Sequence, residues 1–136
     1  MTMIRGINHV TLAVADVERA VAFYTQALGL VLRYRWDAGA YLEAGSDWIC
    51  LSLDQAASPS KRQDYTHLAF DVEEAEFSAA IDRLEAHGAR SWKDNRSEGA
   101  SYYFLDPDGH KLEIHVGTLQ SRLAHYGVAS RIACGH

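Results

Sequence analysis

The sequence has 136 residues, 48% of them hydrophobic, and a formal net charge of −5. These values fit one globular domain with a real core, and an acidic chain without a basic stripe argues against nucleic-acid binding. No apolar run reaches membrane-spanning length and Met1 to Gly6 do not form a secretory signal, so the expected location is cytoplasmic, with no membrane contact.

The first patterned segment, INHVTLAV, alternates. His9, Thr11 and Ala13 share one face and Val10, Leu12 and Val14 the other, which predicts a strand with one side on a core. A helix is expected from Asp16 as N-cap, with Glu18 in its first turn, a buried stripe of Val17, Val21, Tyr24 and Leu28, and Gly29 at its end. Three strands follow over 31–37, 39–45 and 47–54, the last two joined by a Gly45-Ser46 turn. Cys50 lies in the third strand and is expected to be buried; Cys134 lies in a polar tail. Two cysteines are too few for a disulfide framework, and both are expected reduced. Residues 55–63 are polar and contain a proline, as a linker does.

The pattern then repeats. His67, Ala69 and Asp71 lie opposite Leu68, Phe70 and Val72 in a strand, and a helix follows with Glu73, Glu74 and Glu76 near its start, Phe77, Ile81 and Leu84 as its stripe and Gly88 at its end. Strands are expected over 89–95, 100–106 and 110–116, with Asp106-Pro107-Asp108-Gly109 as the turn between the last two. In the last strand Lys111, Glu113 and His115 oppose Leu112, Ile114 and Val116. A helix runs from Thr118 to about Tyr126, and 127–136 is weakly patterned. His67 lies 58 residues after His9, and Glu74 the same distance after Asp16; Gly88 lies 59 after Gly29. Such a match indicates two copies of one βαβββ unit. The fold class is α+β, a single domain of module 1 (about 4–54), linker (55–63), module 2 (64–117) and a C-terminal helix and tail (118–136).

Three strands each packing one side on a core offer His9, His67 and Glu113 on the other. Two imidazoles and a carboxylate leave coordination positions open on a divalent ion, as a catalytic metal requires. By parity alone His115 competes with Glu113, and a histidine on a half-buried strand is more often a satisfied polar group than a ligand.

Paired βαβββ units with a histidine on the first strand of each and a glutamate on the last resemble the vicinal oxygen chelate (glyoxalase/bleomycin-resistance/dioxygenase) superfamily. The segments Arg35-Trp36-Asp37 with Gly39-Ala40-Tyr41-Leu42, Asp64-Tyr65-Thr66-His67, Trp92-Lys93 with Asn95-Arg96-Ser97-Glu98-Gly99, and Tyr103 to His110 are similar to the fosfomycin-resistance glutathione transferases within it. The resemblance implies cup-shaped half-barrels paired across a homodimer. It implies Mn²⁺ on His9, His67 and Glu113, with His9 supplied by one chain and the other two by its partner. It implies that the enzyme opens the epoxide of fosfomycin with glutathione. Lys93, Ser97, Tyr103, Arg122 and Thr11 match phosphonate-side residues, Thr11 also engaging substrate or thiol. Tyr41 and Trp48 match cavity-lining residues, Tyr41 beside the thiol. Asn95, Ser97, Gly99 and Ser101 match a K⁺-holding loop. His115 is expected behind Glu113, supporting it, and Asp94 departs from the neutral amide usual at its position.

Other chemistries compete. A metal enzyme of this fold could use another thiol, water or a different substrate, as a hydrolase, isomerase or dioxygenase; Glu43 is the candidate base for water. A glyoxalase-type isomerase wants a carboxylate on the last strand of module 1, where one face carries Trp48, Cys50 and Ser52. A non-catalytic drug-binding protein of this fold would not need the metal ligands.

Overall fold

The structure, a computed structural model, describes residues 3–57, 60 and 62–127. Cys134, His136 and the rest of the tail from 128 lie outside the described residues. In module 1, β1 (His9–Val14) leads into α1 (Val17–Ala22), followed by β2 (Val31–Trp36), β3 (Gly39–Ala44) and β4 (Asp47–Leu53). In module 2, β5 (Leu68–Asp71), α2 (Glu74–Ala86), β6 (Arg90–Lys93), β7 (Ser101–Leu105) and β8 (Lys111–His115) repeat the order, and α3 (Leu119–His125) closes the described chain. Each module makes one four-stranded sheet, ordered β1-β4-β3-β2 and β5-β8-β7-β6. The first and last strands of each module pair in parallel; the other pairs are antiparallel. The βαβββ repeat read from the sequence is therefore the repeat of the fold, and the fold class is α+β.

Local signals act as expected at most ends. The Asp16 carboxylate accepts from the Arg19 N–H and caps α1. Thr118 and Ser121 cap α3 reciprocally, each side chain meeting the other's backbone N–H. Two details differ. After Ala22 the first helix widens into a π-helical turn, Phe23–Ala27, closed by the Leu28 N–H on the Phe23 carbonyl at 3.2 Å. The extra residue rotates the stripe, so Phe23, Tyr24 and Ala27 are buried and Leu28 only half so. On α2 only Leu84 of the expected stripe is fully buried; Phe77 and Ile81 are partly open.

One apolar core runs through both halves: Val14, Tyr24, Leu42 and Leu51 from module 1 meet Leu84, Phe104, Leu112 and Ile114 from module 2. The turn after β7 locks onto module 1 beside it. Asp108 accepts the Ala15 N–H at 2.9 Å and an Arg19 guanidinium N–H at 3.3 Å, while His110 donates to the Ala13 carbonyl at 2.8 Å. Asp106 Oδ2 accepts the buried Tyr24 hydroxyl at 2.6 Å, and its Oδ1 accepts the N–H groups of Asp108 and His110.

Burial raises the Asp106 carboxyl above the usual range, with these hydrogen bonds opposing it only in part. A carboxyl held above its unfolded value, about 3.9, binds a proton more tightly when folded. Its contribution is fully present below that pH and is lost as pH rises through the folded value. Asp106→Asn keeps an oxygen for the two backbone donors and cannot ionise. Urea denaturation across the acidic range is expected to show wild type losing stability relative to Asp106→Asn as pH rises; parallel curves would refute the assignment. No helix among the described residues is long and apolar enough to cross a membrane.

Candidate metal centre

Glu113 sits in the middle of β8, between β5 and β7, paired with Ala69 on one side and Tyr103 on the other. Period two sends Leu112 and Ile114 into the core and Glu113 to the opposite, inner face, where it is only 5% exposed. Its Oε1 lies 3.0 Å from His67 Nε2, and its Oε2 accepts the Ser101 hydroxyl at 2.6 Å. His67 Nδ1 lies 2.9 Å from the Tyr65 carbonyl, which can only accept. Nδ1 therefore carries the proton, and a neutral His67 turns its Nε2 lone pair on the carboxylate. Two lone pairs 3.0 Å apart need a proton or a cation between them. This arrangement fits two neighbouring ligands of a divalent ion.

His115 stands behind this pair. Its Nδ1 is 2.6 Å from Ser101 Oγ, and its Nε2 lies 3.5 Å from an Arg122 guanidinium nitrogen. The one Ser101 proton serves Glu113, so His115 Nδ1–H donates to Ser101 and leaves Nε2 to accept from Arg122. His115 thus supports Glu113 through Ser101. His67 itself lies one residue before β5, not within the strand expected around it.

His9 opens β1 on the inner face of the first sheet. Its ring lies 4.3 Å from Trp48, and its Nδ1 meets the Asn8 side chain at 2.8 Å. His9, Trp48 and Glu43 form one row across that sheet; Thr11, Cys50 and Tyr41 form the next. Tyr41 packs edge-on to Trp48 at 5.1 Å and to Trp36 at 4.9 Å, so the face is an aromatic wall. Cys50 is half-buried on this wall, where the sequence suggested a buried position. His9 does not join His67 and Glu113: among the described residues no three metal-ligating side chains cluster. β1 and β5 are each one edge strand of their sheet, with His9 opening β1 and His67 just before β5.

The wall of module 2 is cationic as well as aromatic. The pairing of β6 and β7 slips between Ser91 and Lys93. This bulge turns both Trp92 and Lys93 toward the cup, where strict alternation would part them. The Trp92 ring lies 5.6 Å from His67 and 5.2 Å from Tyr103. Lys93 donates to the Tyr65 hydroxyl and stands 4.7 Å from both the Tyr65 and Tyr103 rings. The Tyr65 hydrogen bond raises the Lys93 ammonium above its ordinary value, partial desolvation opposes it, and Tyr103 and Glu113 add to the rise. Tyr103 is 3% exposed on this face, while Tyr102 packs on the other against Phe104.

In the loop before β7, Asn95 Oδ1 accepts the Ser97 N–H and hydroxyl, and its amide donates to the Gly99 carbonyl at 2.8 Å. Gly99 has φ +82°, and a Cβ there would come within 2.4 Å of the Val116 carbonyl. Asn95, Ser97 and Gly99 are thus one folded unit, whereas the Ser101 hydroxyl points to Glu113. Arg122 on α3 meets Glu98 through both side chain and carbonyl at 3.4 Å. Asp94 is exposed. Sequence reasoning assigned no role to Tyr65, Trp92, Lys111 or Glu98; for Tyr65 and Lys111, two residues from His67 and Glu113, parity was the available signal.

The architecture and this half-centre define a class. The chain belongs to the glyoxalase/bleomycin resistance protein/dioxygenase superfamily, whose sequence profile matches residues 6–114. Within it, the chain belongs with the fosfomycin-resistance transferases. It is 54% identical over 124 residues to the glutathione transferase FosA of Serratia marcescens, covering 90% of this chain and 88% of that protein. It is 40% identical to the metallothiol transferase FosB of Shouchella clausii (strain KSM-K16), over 91% of this chain and 88% of that one. Among solved structures, a variant of the fosfomycin resistance protein FosX of Listeria monocytogenes, complexed with Mn(II) and 1S,2S-dihydroxypropylphosphonic acid, superposes with a TM-score of 0.81 at 30% identity, covering 91% of this chain and 99% of the other.

Proposed function

We propose that this protein inactivates fosfomycin by adding glutathione to its epoxide, with Mn²⁺ on His9, His67 and Glu113. The observation that carries the reading is the His67–Glu113 pair at 3.0 Å, each residue's other polar atom already engaged. A divalent ion bound there supplies a Lewis acid for the oxirane oxygen. Lys93, Arg122, Ser97 and Tyr103 take the phosphonate, two cations and two hydroxyls for a dianion. Thr11, on the His9 face, addresses substrate or thiol, and Tyr41 and Trp48 line the thiol's approach. In the reaction the glutathione thiol gives up its proton, its sulfur bonds to a ring carbon, the bond from that carbon to oxygen breaks, and the oxygen takes up one proton to end as a hydroxyl, so that the thiol adds across the ring with no other product. The loop of Asn95, Ser97 and Gly99, with Ser101, holds K⁺ and adds positive charge that no proton equilibrium can remove.

The site is completed in a homodimer. A groove of about 1040 Å³ runs between the edges of β1 and β5, lined by Ile7, Val10, Leu68, Phe70 and Ile114, and Ile7 is 83% exposed. Two strand edges beside a groove that carries these apolar side chains among polar ones support a second copy of the chain as occupant. A cytoplasmic location fits a thiol co-substrate that must stay reduced.

Water as nucleophile is the weaker reading. Glu43, the candidate base, lies 3.5 Å from the Arg33 guanidinium, which occupies it. Phosphorus NMR of the protein with Mn²⁺, K⁺, fosfomycin and glutathione is expected to show a thioether adduct. A diol would instead indicate hydrolysis, and no product with any small thiol would refute the transferase. Glu113→Ala is expected to abolish turnover, and Lys93→Ala mainly to weaken drug binding.

A further inference from the structure

We propose that Lys111 is a positioning residue for His67, tying the turn that carries this histidine to the strand that carries Glu113; the inference rests on the metal-site reading above. His67 precedes β5 and lies just outside the paired register of β5 and β8, which begins at Leu68. The turn from Asp64 to His67 is held partly from within: Asp64 Oδ1 accepts the Thr66 N–H at 3.2 Å, and the His67 ring donates to the Tyr65 carbonyl. Bonds of that kind move with the turn and cannot place it. Lys111 can. It opens β8 on the face of Glu113, and its ammonium donates to the Asp64 carbonyl.

The surroundings make this tie stiff. Lys111 is only 8% exposed. Its Nζ stands 5.1 Å from the Trp92 ring, and the Trp92 indole N–H is anchored on the Leu112 carbonyl at 3.0 Å. The same ring lies 5.8 Å from Tyr65 and 5.6 Å from His67. A buried ammonium is costly, and an apolar side chain would fill this place without that cost. What the lysine adds is direction: a donor from β8 that sets where Asp64, and hence His67 Nε2, stands relative to Glu113. Groups that orient metal ligands in this way typically change metal affinity about 10–100-fold.

The test uses the full chain with Lys111→Met, similar in length and without a donor, and Lys111→Arg, which keeps one. Mn²⁺ affinity is read by calorimetry, and amide hydrogen exchange at Thr66 and His67 is read on metal-free protein. Lys111→Met is expected to bind Mn²⁺ about 10–100-fold more weakly, with faster exchange confined to the turn, while Lys111→Arg stays near wild type. If Lys111→Met does not fold, Lys111→Gln, whose amide is too short to reach Asp64, carries the same comparison. Unchanged affinity in the folded variant, or weaker affinity with unchanged exchange at the turn, overturns the proposal. Wild-type protein that binds no divalent ion overturns the metal-site reading, and the exchange measurement still judges the lysine.

Discussion

Equal amounts of His9→Ala and Glu113→Ala protein, each inactive alone, are expected to recover about a quarter of wild-type turnover once mixed and allowed to exchange subunits. The basis is where the three side chains lie. Within one chain His67 and Glu113 meet at 3.0 Å, while His9 is held on Trp48 at the edge of the other sheet. If each site takes His9 from one chain and His67 with Glu113 from its partner, a mixed dimer concentrates both lesions in one site. The other site is then wholly native. Random exchange makes about half the dimers mixed, each with one of two sites restored. A site built within a single chain recovers nothing on mixing, so a flat result would discard the shared site. Mn²⁺ binding to the mixture provides the same count without turnover.

Tyr24→Ala is expected to cost about 3–5 kcal/mol of folding stability, the range for removing a buried aromatic ring. That is a large share of the ~5–15 kcal/mol that holds a domain of this size. Tyr24 is a fully buried residue of the π-helical turn, packs edge-on to Phe23 at 5.5 Å, and donates to Asp106 from the other module at 2.6 Å. Burial, with Asp106 adding to it, pushes its hydroxyl well above the phenol range, so it remains a neutral donor. Tyr24→Phe isolates that donor. Its expected cost is smaller, about 1–3 kcal/mol, because it strands one buried carboxylate oxygen. The sign with pH follows: without its donor the Asp106 carboxyl rises further, so the deficit is small in acid and grows toward neutrality. Urea denaturation at matched protein concentration, at pH 4 and pH 7, measures both variants. A Tyr24→Phe deficit that shrinks toward neutral pH would contradict the role given to this hydrogen bond.

The sequence by itself determined the repeat, the order of strands and helices, and the faces on which His9, Thr11, Trp48 and Glu113 stand. These follow from period-two alternation, Asp and Thr at helix starts, and glycines where helices end, all carried by neighbours within a few residues. Asp106 to Gly109 read correctly as a turn, but nothing local announced that its carboxylates would reach Tyr24, Ala15 and Arg19 in the other module. Nor did alternation foresee the bulge that brings Trp92 and Lys93 to one side, or the π-helical turn that shifts the first helix's stripe. Those depend on strand register and on what packs opposite. The tertiary structure alone decided that Lys111 grips the turn of His67, that Ser101 serves Glu113, and that His9 stands apart from His67 and Glu113 within the chain. The reason is physical: a side chain's direction is set by its own backbone, but its partners are chosen by how distant segments are brought together.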